Sequence, residues 1–221
     1  MEDHLLVILP HPDDESFGAA GTMLSFKENG GKVTYACMTL GEMGRNMGNP
    51  PFANRETLPQ LRKQELEAAA EILKIDDLIL MGLRDKTIEF EDENKLAERI
   101  SKLIEDRKPT LVITFYPGYA VHPDHDACGA VVIKAVASMP KEQRPTVHAL
   151  AFSKECIDDL GEPQIINDIS RFHQQKLDAL KAHKTQTQEV VSQTEIALKE
   201  GTGEVLDRFK FERFWIYSFD D

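Results

Sequence analysis

The chain reads as α/β: a single three-layer αβα domain over residues 1–221, with a mainly parallel, Rossmann-like sheet. Three observations predict this. The apolar runs are short, rich in Val and Ile, and bounded by Gly, Pro or Asp, as strands buried on both faces are. Helical patterns lie between them, and strand–helix alternation marks a doubly wound sheet. A length of 221 residues suits one domain of this class.

The elements follow in order. Strands are expected at 4–10, 33–40, 77–83, 110–116 and 146–152, each an apolar run between turn residues. The first helix is expected at 18–29. The second, 59–74, carries Leu66, Ala69, Ala70 and Leu73 on one stripe. The third, 93–107, turns Leu96, Ile100, Leu103 and Ile104 to the core, and a fourth spans 124–138. In the common strand order 3-2-1-4-5, strands 1 and 4 are neighbours at the switch point where ligands bind. The stretch 41–58 (GEMGRNMGNPPFANRETL) breaks the rhythm, and long loops in compact domains are usually functional. Helices are expected at 171–184 and 186–199, and the aromatic and β-branched residues of 208–219 predict a late strand.

Charge and composition narrow the function. The net charge of −12 gives no general attraction to nucleic acid or anionic membrane. No apolar run is long enough to span a bilayer and no leader pattern is visible, so the chain is expected in the cytoplasm. Three cysteines, Cys37, Cys128 and Cys156, are far apart and predict neither a disulfide framework nor a metal knuckle.

Two clusters carry chemistry. The first strand runs into His11-Pro12-Asp13-Asp14-Glu15, and the fourth leads to His122-Pro123-Asp124-His125-Asp126. Both lie beyond carboxyl ends of strands expected to be neighbours, so they should face each other. Consecutive carboxylates at the end of a buried strand need a cation, and no Lys or Arg is close in sequence. Histidines and carboxylates meeting at one point suggest a divalent metal with an open position. The plain alternative is a helix N-terminus, with Asp as cap and acids favouring the dipole. That accounts for the acids but not for a second His-Pro-Asp.

These residues resemble the LmbE/PIG-L-type zinc N-deacetylases, whose paired signatures are HPDDE after the first strand and HPDH after the fourth. Arg62, Glu65 and Ala69 in LRKQELEAAA, GLRD at 82–85 and AHKTQ at 182–186 extend the resemblance along nearly the whole chain. Within the family the sequence looks most like the bacillithiol-pathway deacetylases acting on N-acetylglucosaminyl malate. The resemblance implies His11, Asp14 and His125 as zinc ligands, with Asp13 as general base. It implies His122 as the residue that stabilises the oxyanion, as a cation, and Asp124 as the one that orients His122. Arg62 matches a sugar-binding arginine and Asp85 a position near sugar hydroxyls. Tyr119 stands three residues before His122, where relatives carry a mobile tyrosine two before.

The implied cofactor is one Zn2+ per chain, and Fe2+ shares the same ligand types. The expected partner is a small amino-sugar substrate, with no nucleic acid and no membrane; a homo-oligomer is compatible with this. Arg45, in the 41–58 loop of an acidic chain, is a candidate anchor for an anionic aglycone. Plainer readings stand beside these. Arg62 could be a surface residue paired with Glu65 or Glu67 at helical spacing, and Asp85 could cap a strand end. His4 and His148 lie in strand-like runs and suit packing. His173 and His183 fall on a polar C-terminal helix. Competing functions are an amidase acting on a thiol-sugar conjugate and a non-catalytic sugar- or nucleotide-binding module. The latter lacks a GxGxxG after the first strand.

Overall fold

A computed structural model describes residues 3–201 and 204–219. The chain begins with β1 (His4–Leu9), α1 (Asp14–Gly18), α2 (Ala20–Glu28) and β2 (Lys32–Cys37). The loop through residues 41–57 follows, then α3 (Leu58–Ile72) and β3 (Asp77–Leu80). Next come α4 (Glu93–Arg107), β4 (Leu111–Phe115), α5 (Pro123–Ala137) and β5 (Thr146–Leu150). The last part holds α6 (Cys156–Leu160), β6 (Ile165–Asp168), α7 (His173–Ala182), α8 (Lys184–Glu200), α9 (Glu204–Lys210) and β7 (Phe211–Ile216).

The strands form one seven-stranded sheet in the order β3-β2-β1-β4-β5-β7-β6. The first five pair in parallel, in the expected 3-2-1-4-5 order. The sheet is then extended by β7, antiparallel to both β5 and β6. Along β1 the side chains alternate, as pleating demands. Leu5, Val7 and Leu9 join a core with residues of α2, α3 and α7, while Leu6 and Ile8 join one with residues of α4 and α5. Each such side chain fully removed from water contributes roughly 1.5–3 kcal/mol.

Three expectations change. The first helix starts at Asp14 and breaks at Ala19, where φ is −140°, so the acidic motif itself opens a helix. The late strand covers only Phe211–Ile216, because residues 208–210 close α9; short apolar runs fit either period. Strand β6 is a four-residue edge that the sequence does not announce. Among the described residues no helix is long and apolar enough to cross a membrane.

A buried ion pair secures the antiparallel extension. Glu212 of β7 accepts from Gly21 N (3.0 Å), Thr22 N (2.8 Å) and Thr22 Oγ1 (2.7 Å), which caps the start of α2. It also accepts from Lys176 Nζ of α7 at 2.7 Å, with both side chains 2% exposed. Removing one partner strands the other charge in the interior. Glu212→Ala is therefore expected to cost about 3–5 kcal/mol. Thermal or urea unfolding should show the loss, and a change below about 1 kcal/mol, the level of surface pairs, would disprove the pair's role.

Candidate active site

The loops after β1, β3 and β4 converge at the carboxyl edge of the sheet. Parallel pairing of β1 with β4, Leu5 opposite Leu111, brings the two His-Pro-Asp segments together. Helix α5 is docked closely: a Cβ on Gly129 would collide with the carbonyl oxygen of Phe115, so only glycine lets the helix approach the end of β4. Its N-cap is His122, whose Nδ1 accepts from Asp124 N at 3.2 Å.

Three side chains meet at the centre, each histidine facing a different oxygen of Asp14. His11 Nδ1 lies 3.2 Å from His125 Nε2 and 3.5 Å from Asp14 Oδ2, and His125 Nε2 lies 3.3 Å from Asp14 Oδ1. The far side of each ring sets its tautomer. His11 Nε2 sits 3.2 Å from both Asp85 Oδ1 and Asp124 Oδ2, so its proton belongs there and Nδ1 keeps a lone pair. His125 Nδ1 donates to Ala120 O at 3.2 Å, leaving the Nε2 lone pair inward, and its ring stacks on Phe115 at 4.0 Å. The histidines His11, His122 and His125 also bring ring nitrogens within 4.8 Å of one another.

This donor set fits a divalent ion. Bonds of about 2.0–2.2 Å in a tetrahedron place ligand atoms about 3.3–3.6 Å apart. The observed separations are close to this, and the outer ring protons go to the Asp85 and Asp124 carboxylates behind His11 and to the Ala120 carbonyl behind His125, the kinds of partner found behind metal-bound histidines. The electrostatics agree. Burial lowers the pKa of His11, but Asp124, Asp14 and Asp85 outweigh it and carry it well above the ordinary value. Burial raises Asp14, but His125 and His11 hold it far below the carboxylate range. The site draws positive charge.

Asp13 differs from its neighbour. Its backbone adopts φ 114°, outside the range comfortable for a residue with a side chain. Arg62 Nη2 donates to its Oδ2 at 3.0 Å and also to Pro12 O, while Arg62 Nη1 donates to Gly41 O at 2.9 Å. Burial, aided by Asp14, outweighs Arg62 and raises the Asp13 carboxyl to about 6.

Several expected placements are corrected. The Asp124 carboxylate does not reach behind His122. It takes His11 Nε2, Lys86 N (2.6 Å) and Ile88 N (3.2 Å), because side chains two apart on a helix point in different directions. Burial, then His11 and His125, lower the pKa of His122, against the expected cation, and its Nδ1 accepts from the Asp124 backbone rather than facing its carboxylate. Arg62 is no surface residue, being 4% exposed; Glu65 instead receives Thr185 N and Oγ1, and Glu67 receives Lys63. Both Arg62 and Asp85 are hydrogen-bonded within the protein. Asp85 holds His11 and Met43 N (2.8 Å), and His11 more than offsets burial to bring its carboxyl to about 2. The Tyr119 hydroxyl donates to Asp159 on α6 at 3.2 Å, away from the donor trio. Arg45 is exposed on the loop and outside this buried cluster.

Two residues join the site without having been assigned a part in it. Glu15 is fully buried; its Oε2 accepts from Asp13 N at 3.0 Å and its Oε1 from Ser16 Oγ at 2.6 Å. His183 Nε2 donates to the same Oε1 at 2.7 Å. The AHKTQ motif thus ties three regions together: His183 to Glu15, Thr185 to Glu65, and Gln186 to Asn46 O (2.9 Å) in the long loop. A hollow of about 410 Å³ lies beside Asp85, lined by Glu42, Met43, Arg55, Gly82, Leu83 and Arg84 among others.

Known proteins resemble this chain in sequence and in fold. The family model described as GlcNAc-PI de-N-acetylase (PIG-L) matches residues 6–136, from β1 to the end of α5. A Bacillus subtilis (strain 168) protein named probable N-acetyl-alpha-D-glucosaminyl L-malate deacetylase 2 is 50% identical over 221 residues, covering all of both chains. Among solved structures, N,N'-diacetylchitobiose deacetylase from Pyrococcus horikoshii superposes with a TM-score of 0.75 at 23% identity, covering 97% of this chain and 84% of that one. A Pseudomonas putida 4-carboxy-2-hydroxymuconate hydratase reaches 0.76 at 18% identity, covering 99% and 98%. At such identities the likeness is one of fold, and a hydratase on this fold shows that the fold does not choose the chemistry. The full-length relative and the family match make that choice: the chain belongs to the GlcNAc-PI de-N-acetylase (PIG-L) family of deacetylases.

Proposed function

We propose that the protein is a zinc-dependent N-deacetylase that removes the acetyl group of N-acetylglucosaminyl malate. The observation that carries this reading is the inward convergence of three lone-pair donors, His11 Nδ1, His125 Nε2 and the Asp14 carboxylate, beside a second, differently held carboxylate. His11, Asp14 and His125 would hold the ion, which supplies Lewis acidity and makes water a nucleophile near neutral pH. The remaining work belongs to the chain. Asp13, raised towards neutrality, takes the proton from the attacking water and passes it to the leaving amine. His122 keeps its proton on Nε2, because Nδ1 accepts from Asp124 N, and so offers a donor to the developing oxyanion. Asp124 and Asp85 fix the His11 tautomer.

The direct test is acetate release from N-acetylglucosaminyl malate, with metal content measured on the same sample. No acetate from fully metallated protein would refute the reading.

Two further outcomes follow. Asp124→Ala frees the outer nitrogen of His11, so metal affinity should fall about 10–100-fold, with activity restored by excess metal. A fall in kcat at saturating metal would return Asp124 to the oxyanion side. The hollow beside Asp85 is the place where the malate carboxylates meet positive charge. Arg55 is partly engaged there, donating to Gly44 O (2.6 Å), whereas Arg84 is exposed. Arg84→Ala should raise KM about 10-fold for the malate conjugate, the scale of one exposed charge-assisted contact, and leave plain N-acetylglucosamine unaffected. Equal change on both substrates would remove that assignment.

A further inference from the structure

Asp13 occupies a backbone conformation, φ 114°, that is unfavourable for a non-glycine residue and persists only where the surroundings enforce it. Arg62 holds its carboxylate and the preceding carbonyl. The peptide N–H is held separately, by Glu15 Oε2 at 3.0 Å. Glu15 is itself pinned through its other oxygen, by Ser16 Oγ at 2.6 Å and by His183 Nε2 at 2.7 Å. His183 comes from the junction of α7 and α8, 168 residues away, and is fully buried. Its Nδ1 has no hydrogen-bond partner among the described residues. A buried carboxylate–imidazole pair with an unsatisfied nitrogen is a poor way to stabilise a core, since apolar residues of similar volume serve as well or better. The pair is placed, however, where it controls one peptide, that of Asp13.

We propose that His183 is a positioning residue for Asp13 and acts through Glu15. By donating Nε2–H to one Glu15 oxygen it fixes the carboxylate, and the other oxygen fixes the Asp13 peptide in its left-handed conformation. This rests on Asp13 being the base of the deacetylation proposed above. His183 touches neither substrate nor ion in this scheme, so its loss acts on kcat through Asp13 alone.

The test is a double-mutant cycle on the metallated, full-length protein with N-acetylglucosaminyl malate. His183→Leu keeps bulk and removes the donor. It should lower kcat roughly 10- to 100-fold, the scale of a misplaced reacting group, with KM and bound metal unchanged. His183→Gln, whose amide can still donate, should recover most of that loss. In an Asp13→Asn background His183→Leu should have no further effect, because no base remains to be misplaced. The same fold loss in both backgrounds, or loss of metal in His183→Leu, would overturn the proposal. If His183→Leu does not fold, Glu15→Gln keeps the shape, drops the charge and should give the same non-additive pattern. A wild-type protein inactive on this substrate would refute the deacetylase reading itself, whereas active wild type with an undiminished His183→Leu refutes this inference alone.

Discussion

Asp13→Asn should lower kcat by about 10²–10⁴-fold while the bound metal stays in place, the usual span for loss of a general acid–base group. Asn keeps the shape and the hydrogen bond from Arg62 but cannot accept a proton. Asp14→Asn should behave oppositely. Asp14 is the carboxylate that faces both His11 and His125, so its loss weakens metal binding, and added metal should restore part of the activity. Stability gives an independent check. Burial raises the Asp13 pKa to about 6, so the folded state favours the protonated form relative to the unfolded chain. Above that pH, ionising Asp13 in the fold is unfavourable. Metal-free Asp13→Asn should therefore melt higher than metal-free wild type at pH 7, with the difference shrinking as pH falls from about 6 to the unfolded value near 4 and gone below it. Loss of metal from Asp13→Asn and its retention by Asp14→Asn would swap the two roles.

The convergence of the two His-Pro-Asp segments was legible because strand order is: parallel β1 and β4 are neighbours at the switch point, and whatever follows them must meet. What each side chain does there was harder to read. HPDH invites a pairing of Asp124 with His122, two residues away, but the turn of the helix sends the carboxylate to His11, 113 residues away. Arg62 could have been found. It continues the buried stripe of α3 with Leu58, Leu66 and Ala69, and a charged residue on a core stripe signals a buried partner. The cation that faces Asp13 therefore came from α3, not from nearby sequence. Glu15 and His183 left a fainter trace, a third acid after HPD and a histidine in AHKTQ; nothing local links positions that only folding brings to 2.7 Å.

His122→Ala should lower kcat about 10²–10³-fold, the usual worth of one oxyanion donor, with metal retained. Retention follows from geometry: the close contacts among His11, Asp14 and His125 do not involve His122, which caps α5 through its Nδ1. The charge state of His122 makes this more specific. A cationic donor would lose its advantage as pH rises through its pKa, giving a fall in kcat on the alkaline side near neutrality. Here burial, then His11 and His125, lower the pKa, and the Asp124 N–H pointing at Nδ1 further disfavours a second proton. The neutral ring with Nε2–H is then the working form, so kcat should show no decline attributable to His122 between about pH 6.5, the free imidazole value, and pH 8. On the acid side the sign reverses. The unfolded chain binds this proton more tightly, so the stability contributed by the neutral His122 falls as pH drops below about 6.5 through the lower folded value. His122→Ala removes that dependence together with the cap. Comparing pH–kcat and pH–melting curves of wild type and His122→Ala checks both limbs. An alkaline decline in wild type that vanishes in His122→Ala would mean that the ring works as a cation after all.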